Sequence, residues 1–260
     1  MHSFSRTTGI SVVVANMVGT GVFTSLGFQL LGIQSPFVLM MLWLVGGLTA
    51  LCGALTYAEL GANLPRSGGE YNFLSRLYHP CAGFISGWVS ATVGFAAPVA
   101  LAAMTFAAYL SAVFPELNRT WAAVSLVLTL TLAHCLSRRA SSSVQQIFTA
   151  LKLLLILLFC AVILIWGNSP QSLNFAPQAG DGQLLFSGAF AVALIYVNYA
   201  YTGWNAATYV TGELENPQRN LPWILMIGTL VVMTLYVALN FAFLYAAPME
   251  AMAGEGEVGF

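Results

Sequence analysis

Charge is what this sequence lacks most. Its 260 residues include 8 Lys or Arg and 9 Asp or Glu, 7% in all, where a soluble domain carries about a quarter. So few charges cannot cover the surface of a soluble protein of this size, and lipid must be the solvent for most of it. The formal net charge of −1 leaves no basic footprint, which excludes nucleic acid as a partner. Cysteine is sparse too. Cys52, Cys81, Cys135 and Cys160 each lie in or beside an apolar run without CxxC spacing. They read as reduced core residues rather than a disulfide or metal framework. The sequence shows no nucleophile–base pair, HExxH motif or phosphate loop. The GTG at 19–21 lacks the GxGxxG spacing and the preceding strand of a dinucleotide fingerprint. The expectation is therefore a non-enzyme without metal or cofactor.

What is abundant is apolar length: 58% of the residues are hydrophobic. A membrane span needs about 20 apolar residues. Seven runs qualify, at 8–31, 37–62, 81–113, 121–136, 144–166, 184–211 and 222–247. They are continuously apolar rather than alternating, which excludes a β-barrel and leaves helices, whose backbone groups are satisfied internally. The fold class is an all-α polytopic membrane protein. The first run is too long for a signal peptide and no small-residue cleavage pattern follows it. With the N-terminus in the cytoplasm, Arg6, Arg66, Arg76, Arg138, Arg139 and Arg219 fall inside and Arg119 outside, a strong bias under the positive-inside rule. The segment 65–80 places Tyr71, Phe73, Leu74, Leu77 and Tyr78 at helical spacing, so a short amphipathic helix against the cytoplasmic face is expected. The segment 212–222 reads as a polar turn whose two prolines end one helix and start another.

Two spans are interrupted. The first carries Val18-Gly19-Thr20-Gly21-Val22 near mid-membrane, and the sixth carries Tyr201-Thr202-Gly203-Trp204-Asn205 at similar depth. Five spans separate their starts, an odd number, so the sixth enters from the opposite side. That is the arithmetic of an inverted repeat with a broken helix leading each half. Residues 1–170 would form the first five-helix repeat and 171–260 the start of the second, with helices six and seven. Gly19 and Gly21 permit unwinding and φ above zero. The half-helix after them carries a partial positive charge at its start, so it suits a carboxylate. Close packing through small residues explains the same glycines equally well. At the second break, freed carbonyls suit an ammonium group, and aromatic rings could close over the ligand.

Lys152 is the single lysine and sits nine residues into the fifth span. An ammonium at that depth costs at least about 2.5–3.5 kcal/mol, so it is expected to face the interior and bond backbone carbonyls or hydroxyls. Glu59 reads as a solvated or capping residue and His134 as packing or interfacial. Asn118-Arg119-Thr120 matches a glycosylation sequon, in a loop too short and too near the membrane for use.

These motifs resemble the amino acid–polyamine–organocation (APC) superfamily. Gly19-Thr20-Gly21-Val22-Phe23 is similar to its GSGIF motif, and Leu64-Pro65-Arg66-Ser67-Gly68-Gly69-Glu70-Tyr71 to its loop after the second helix. Tyr201-Thr202-Gly203-Trp204-Asn205, followed by the stretch 213–222, resembles the sixth helix and next loop of the L-type amino acid transporter branch. The stretch 144–152 resembles that branch's fifth helix. The resemblance implies a five-plus-five inverted-repeat fold and secondary active transport by alternating access. By motif, Val18, Gly19, Thr20 and Gly21 would bind a substrate carboxylate, with the amino group on carbonyls near Tyr199 and Thr202. Gly203 lies within the second break, Tyr199 matches the aromatic gate and Asn205 a polar position of the site. Lys152 would replace the sodium ion of sodium-coupled relatives.

The family usually has twelve spans, so this chain reads as truncated after about seven. Its loop 114–120 holds no cysteine, so the disulfide-linked heavy subunit of the animal branch is not expected. The leading expectation is a plasma-membrane amino acid permease acting as a sodium-independent antiporter or with proton coupling, and favouring neutral amino acids. The competing reading is a non-transporting membrane receptor or a degenerate carrier subunit.

Overall fold

The computed structural model describes residues 4–136, 138–166, 171 and 173–254. Residues 255–260 and the side chain of His134 lie outside the described part. The helices, in chain order, are α1 (Arg6–Met17), α2 (Gly21–Leu30), α3 (Pro36–Asn63), α4 (Glu70–Leu77), α5 (Pro80–Val89), α6 (Ala97–Val113), α7 (Arg119–Leu136), α8 (Arg138–Trp166), α9 (Asp181–Leu185), α10 (Gly188–Ala200), α11 (Pro217–Ala246) and α12 (Met249–Met252). A π-helical segment, Ser90–Ala96, joins α5 to α6, and a 3-10 segment, Ala206–Glu213, follows α10. This is an all-α polytopic membrane protein. Five stretches are long and apolar enough to cross a bilayer: Arg6–Leu30, Pro36–Asn63, Pro80–Val113, Gln145–Ile165 and Pro217–Ala246. The other two runs form the shorter apolar helices Arg119–Ala133 and Gly188–Ala200.

Local chemistry sets the helix starts. Ser35 caps α3 by accepting from the Val38 amide at 3.3 Å, and Pro36 follows at N1, where its missing N–H costs nothing. Ser5 and Ser187 cap α1 and α10 in the same way. The seventh span starts earlier than the sequence suggested. Asn216 adopts the left-handed conformation (φ 44°) ahead of Pro217, so the helix begins there and Pro222 falls inside it. The sixth run is not one helix either: α9, α10 and the 3-10 segment divide it.

The chain divides into two compact units. They follow contact rather than sequence symmetry, so they neither use nor test the expected repeat boundary at residue 170. One unit holds the residues up to Ser67 and those from Thr149 on. Its core includes the fully buried Met17, Leu26, Trp43, Tyr201 and Tyr236. In lipid, helices associate by close packing of small residues rather than by hydrophobic exclusion. Accordingly α1 lies on α11 through two glycines. A Cβ on Gly9 would come within 2.6 Å of Ile224, and one on Gly228 within 2.7 Å of Val13. Gly46 and Gly47 of α3 make the equivalent notch for Val197 and Met233.

The second unit, 68–148, contains α4 to α7. In it α4 forms the expected short helix, but it buries Asn72 and Phe73 and exposes Tyr71 and Leu77, so of the residues expected on its apolar face Tyr71 and Leu77 are not covered by protein. Pro98, early in α6, withdraws an amide donor and crowds the preceding turn. The helix just before it is wound as the looser π form. Three of the cysteines correct the sequence reading: Cys52, Cys81 and Cys135 are exposed, and Cys160 alone of the four is buried. A continuously apolar helix does not reveal which face meets lipid.

Candidate functional site

The site is built where the first and sixth spans lose their helical winding. α1 ends as Val18 turns to extended backbone (φ −76°, ψ 94°), and α2 restarts at Gly21. The first amides of a helix have no intrahelical partner; at this start the Phe23 amide donates to the Thr20 carbonyl at 3.0 Å. Neither Gly19 nor Gly21 has positive φ, so the reason offered from sequence for these glycines needs correcting. What they supply is room. A Cβ on Gly19 would meet nothing within 4 Å, whereas one on Gly21 would stand 3.2 Å from the Ala200 Cα and 3.6 Å from the Tyr199 ring. Gly19 and Thr20 are exposed, and no side chain caps the start of α2.

The second break is where a positive φ is required. Gly203 stands at φ 103°, and a Cβ there would fall 2.8 Å from the carbonyl carbon and oxygen of Asn16. The two breaks therefore touch backbone to backbone. The second break is also tied within itself. Thr202 donates from its hydroxyl to the Tyr199 carbonyl at 2.7 Å and from its amide at 3.1 Å. Thr208 donates to the Asn205 carbonyl at 2.7 Å. The Tyr199 carbonyl thus already accepts two hydrogen bonds, which narrows the set of acceptors open to an ammonium group. Asn205 lies further along, with its amide 3.4 Å from the Tyr209 hydroxyl. The Tyr199 ring is about half exposed, at 54%.

Two side chains from other spans hold the carbonyls that the first break frees. Lys152 of α8 donates from Nζ to the Val18 carbonyl at 2.5 Å and to the Ala15 carbonyl at 3.3 Å. The Tyr236 hydroxyl of α11 lies 2.7 Å from the Met17 carbonyl and 3.1 Å from that of Ala200. One phenol proton stands between two acceptors, one on each broken span. Tyr201 donates to the Trp43 carbonyl at 3.1 Å. Its ring lies 5.0 Å from that of Tyr236 and 5.9 Å from that of Trp43. Trp204 packs edge-on against Tyr57 at 4.9 Å.

Of the residues expected from sequence, Val18, Gly21, Tyr199 and Gly203 lie where the two spans meet, and Lys152 reaches Val18. Gly19 and Thr20 are exposed, with open space where a Cβ on Gly19 would stand, while Thr202 bonds to Tyr199 and Asn205 to Tyr209. Tyr236 was missed. Its one visible signal is a phenol midway along a 30-residue, largely apolar helix.

The family model for amino acid permeases matches residues 4–260. The human b(0,+)-type amino acid transporter 1 is 33% identical over 244 residues, covering 90% of this chain and 49% of its own length. The large neutral amino acids transporter small subunit 2 of Oryctolagus cuniculus is 35% identical over 252 residues, covering 93% of this chain and 47% of its own length. The chain spans about half the length of the curated relatives it matches. Those relatives are named as transporters, not as enzymes.

Proposed function

This chain belongs to the amino acid permease family, and from that premise we propose that the protein moves amino acids across the membrane by alternating access, through a site between the breaks at 18–21 and 199–205. One observation carries the reading: the broken spans meet there backbone to backbone, with Gly203 against Asn16 and Gly21 against Ala200. The start of α2 offers amides and a positive helix end to a carboxylate. Gly19 leaves that start open on one side, so ligand backbone can come close. Carbonyls of the second break take the amino group, and the exposed Tyr199 ring closes over the ligand as a gate. Thr20, Thr202 and Asn205 supply polar groups around it. Neither break contains an acidic residue, which favours neutral amino acids over cationic ones.

Lys152 places its amino group against the first break. We read it as standing where sodium-coupled relatives hold a sodium ion, which makes transport sodium-independent exchange or proton-coupled uptake. The N-terminus is cytoplasmic, the membrane is the plasma membrane, and no disulfide-linked heavy subunit is required. The five-plus-five repeat belongs to the same proposal, with 171–260 opening its second half.

The test is uptake and counterflow of labelled neutral amino acids in proteoliposomes, using this chain and a version extended with the half that its relatives carry. Saturable exchange without sodium supports the proposal. Binding without exchange in the extended version favours a receptor instead. Gly19→Val should abolish binding while sparing insertion, because its Cβ meets no protein atom and the larger side chain fills the approach to α2. A decarboxylated amine analogue should compete poorly. If it binds as well as the parent amino acid, the carboxylate site is misassigned.

A further inference from the structure

Among the described residues, four buried side-chain polar atoms have no hydrogen-bond partner: Ser25 Oγ, Gln29 Nε2, Ser75 Oγ and Asn240 Oδ1. Ser75 lies in the second unit. The other three belong to the first, where Ser25 is 4% exposed and Gln29 and Asn240 are 1% exposed. Each lies within two steps of one side chain, Trp43. The Trp43 indole donates to Gln29 Oε1 at 3.1 Å. Ser25 precedes Gln29 by four residues, so the two are neighbours on one face of α2. The Trp43 ring meets that of Tyr236 edge-on at 5.6 Å. Asn240 sits one turn beyond Tyr236, and its Nδ2 donates to the Tyr236 carbonyl at 2.8 Å. α2 and α11 also meet through Phe23 and Phe243, whose rings stand edge-on at 6.4 Å.

The bonds that are made fix the chemistry of those that are not. An indole N–H only donates, so the Gln29 atom facing it is the oxygen, and the atom left over is a donor. A backbone carbonyl only accepts, so the Asn240 atom facing Tyr236 is the nitrogen, and the atom left over is an acceptor. Ser25 departs from habit in another way. Hydroxyls within helices commonly bond the carbonyl one turn back, as Thr49, Thr56 and the fully buried Thr229 do. Ser25 makes no such bond. Unpaired polar atoms in a dry core are expensive, and native proteins keep few of them. These three do not bond one another either, so they call for a common partner. A cation would be repelled by the Gln29 N–H, an anion by the Asn240 oxygen, and an apolar group would satisfy neither. The partner must be small, uncharged, and able both to accept and to donate. Water meets all three conditions, and a buried water typically makes about three hydrogen bonds.

We propose that Ser25, Gln29 and Asn240 form a binding site for a resident water molecule, which accepts from Gln29 Nε2, donates to Asn240 Oδ1 and pairs with the Ser25 hydroxyl. The water joins α2 to α11 beside the Trp43 ring of α3. None of its three protein partners lies at 18–21 or 199–205, so the site does not rest on the reading of those breaks as the substrate site.

Two measurements test it. The first uses water itself as the probe. X-ray radiolysis of the folded protein in detergent makes hydroxyl radicals from waters where they stand. A resident water should therefore oxidise Trp43, whose side chain is 0% exposed, and Ser25→Ala combined with Asn240→Leu should largely abolish that oxidation. An unmodified Trp43 in the parent protein overturns the site. The second reads the unfolding constant in mixed micelles titrated with dodecyl sulfate. Alanine is a better helix former than serine, so without the water Ser25→Ala leaves the constant unchanged or lowers it. With the water, the lost bond outweighs that gain and the constant should rise about threefold. The double variant should be about fivefold more stable than the two single changes multiplied together imply, because the first change already releases the water. A Ser25→Ala protein as stable as the parent overturns the proposal, and so do two changes that multiply without coupling. If Asn240→Leu does not insert, Ser25→Ala and the oxidation of Trp43 in the parent carry the test.

Discussion

At the first break the backbone keeps ordinary angles, and its carbonyls are held by side chains from other spans, Lys152 on Val18 and Tyr236 on Met17. At the second, one residue stands at φ 103°, and the loosened turn is held by its own neighbours, Thr202 on Tyr199 and Thr208 on Asn205. The first break thus depends mainly on distant residues, while the second is held mainly by its own sequence, with the Tyr236 hydroxyl at Ala200 reaching it from outside. A segment held from outside can be loosened by changing its neighbours, while one held from within must be changed itself. The first is therefore the better placed to respond to events elsewhere in the bundle.

Gly203→Ala should have the largest effect. The left-handed angle costs a non-glycine residue about 1–2 kcal/mol. A Cβ 2.8 Å from the Asn16 carbonyl adds an overpacking cost of about 1–3 kcal/mol. Thermal unfolding in detergent should show a loss of about 2–5 kcal/mol or no folded protein. Near-normal stability would mean that the second break is not fixed by its own geometry.

Lys152→Ala comes next. The Val18 carbonyl loses its donor in a dry site, at a cost of about 1–3 kcal/mol. Hydrogen exchange should quicken at 18–21 and stay unchanged at 201–205. Equal quickening at both would erase the contrast between the breaks. Strict sodium dependence of the unmodified protein would sink the role given to this lysine.

Tyr236→Phe keeps the ring and removes one proton, so the loss should be about 1 kcal/mol, the net worth of a neutral hydrogen bond. Because its hydroxyl lies within reach of both breaks, hydrogen exchange should rise modestly at each. A rise at one break alone would assign the proton to that partner.

Tyr199→Ala should leave stability within about 0.5 kcal/mol, as an exposed position allows, and should still impair exchange more than Tyr209→Ala does. Tyr199→Phe should retain much of the activity, since ring area closes the site. Equal losses at both tyrosines would point to packing rather than a gate.

Much of this was legible in the sequence, for identifiable reasons. Apolar length marked all seven runs, and glycine with hydroxyl residues marked both interruptions. A lone lysine at mid-span had few places to send its charge. Tyr236 was illegible because its acceptor on Met17 is 219 residues away, and nothing local announces such a pairing. A backbone bridge between Phe4 and Leu214 was hidden for the same reason. The 3-10 winding after the second break, and the placing of the positive φ at Gly203 rather than Gly19, depend on how closely two backbones approach. Composition carries no measure of that distance. The exposed cysteines were misplaced because lipid and core are equally apolar.

The π-helical segment Ser90–Ala96 has a consequence of another kind. A π turn takes in one residue more than an α turn, so the third span holds a residue that a straight helix of the same reach does without. Ala103, Ala107 and Ser111, the buried stripe of α6, owe their facing to that surplus. Deleting one residue between 90 and 96 would rewind the turn as α and keep both flanking helices in register. The same deletion in α6 ahead of Ala103 would turn that stripe by about 100° relative to α5. The π segment is thus the point in the third span where a one-residue deletion is expected to be tolerated.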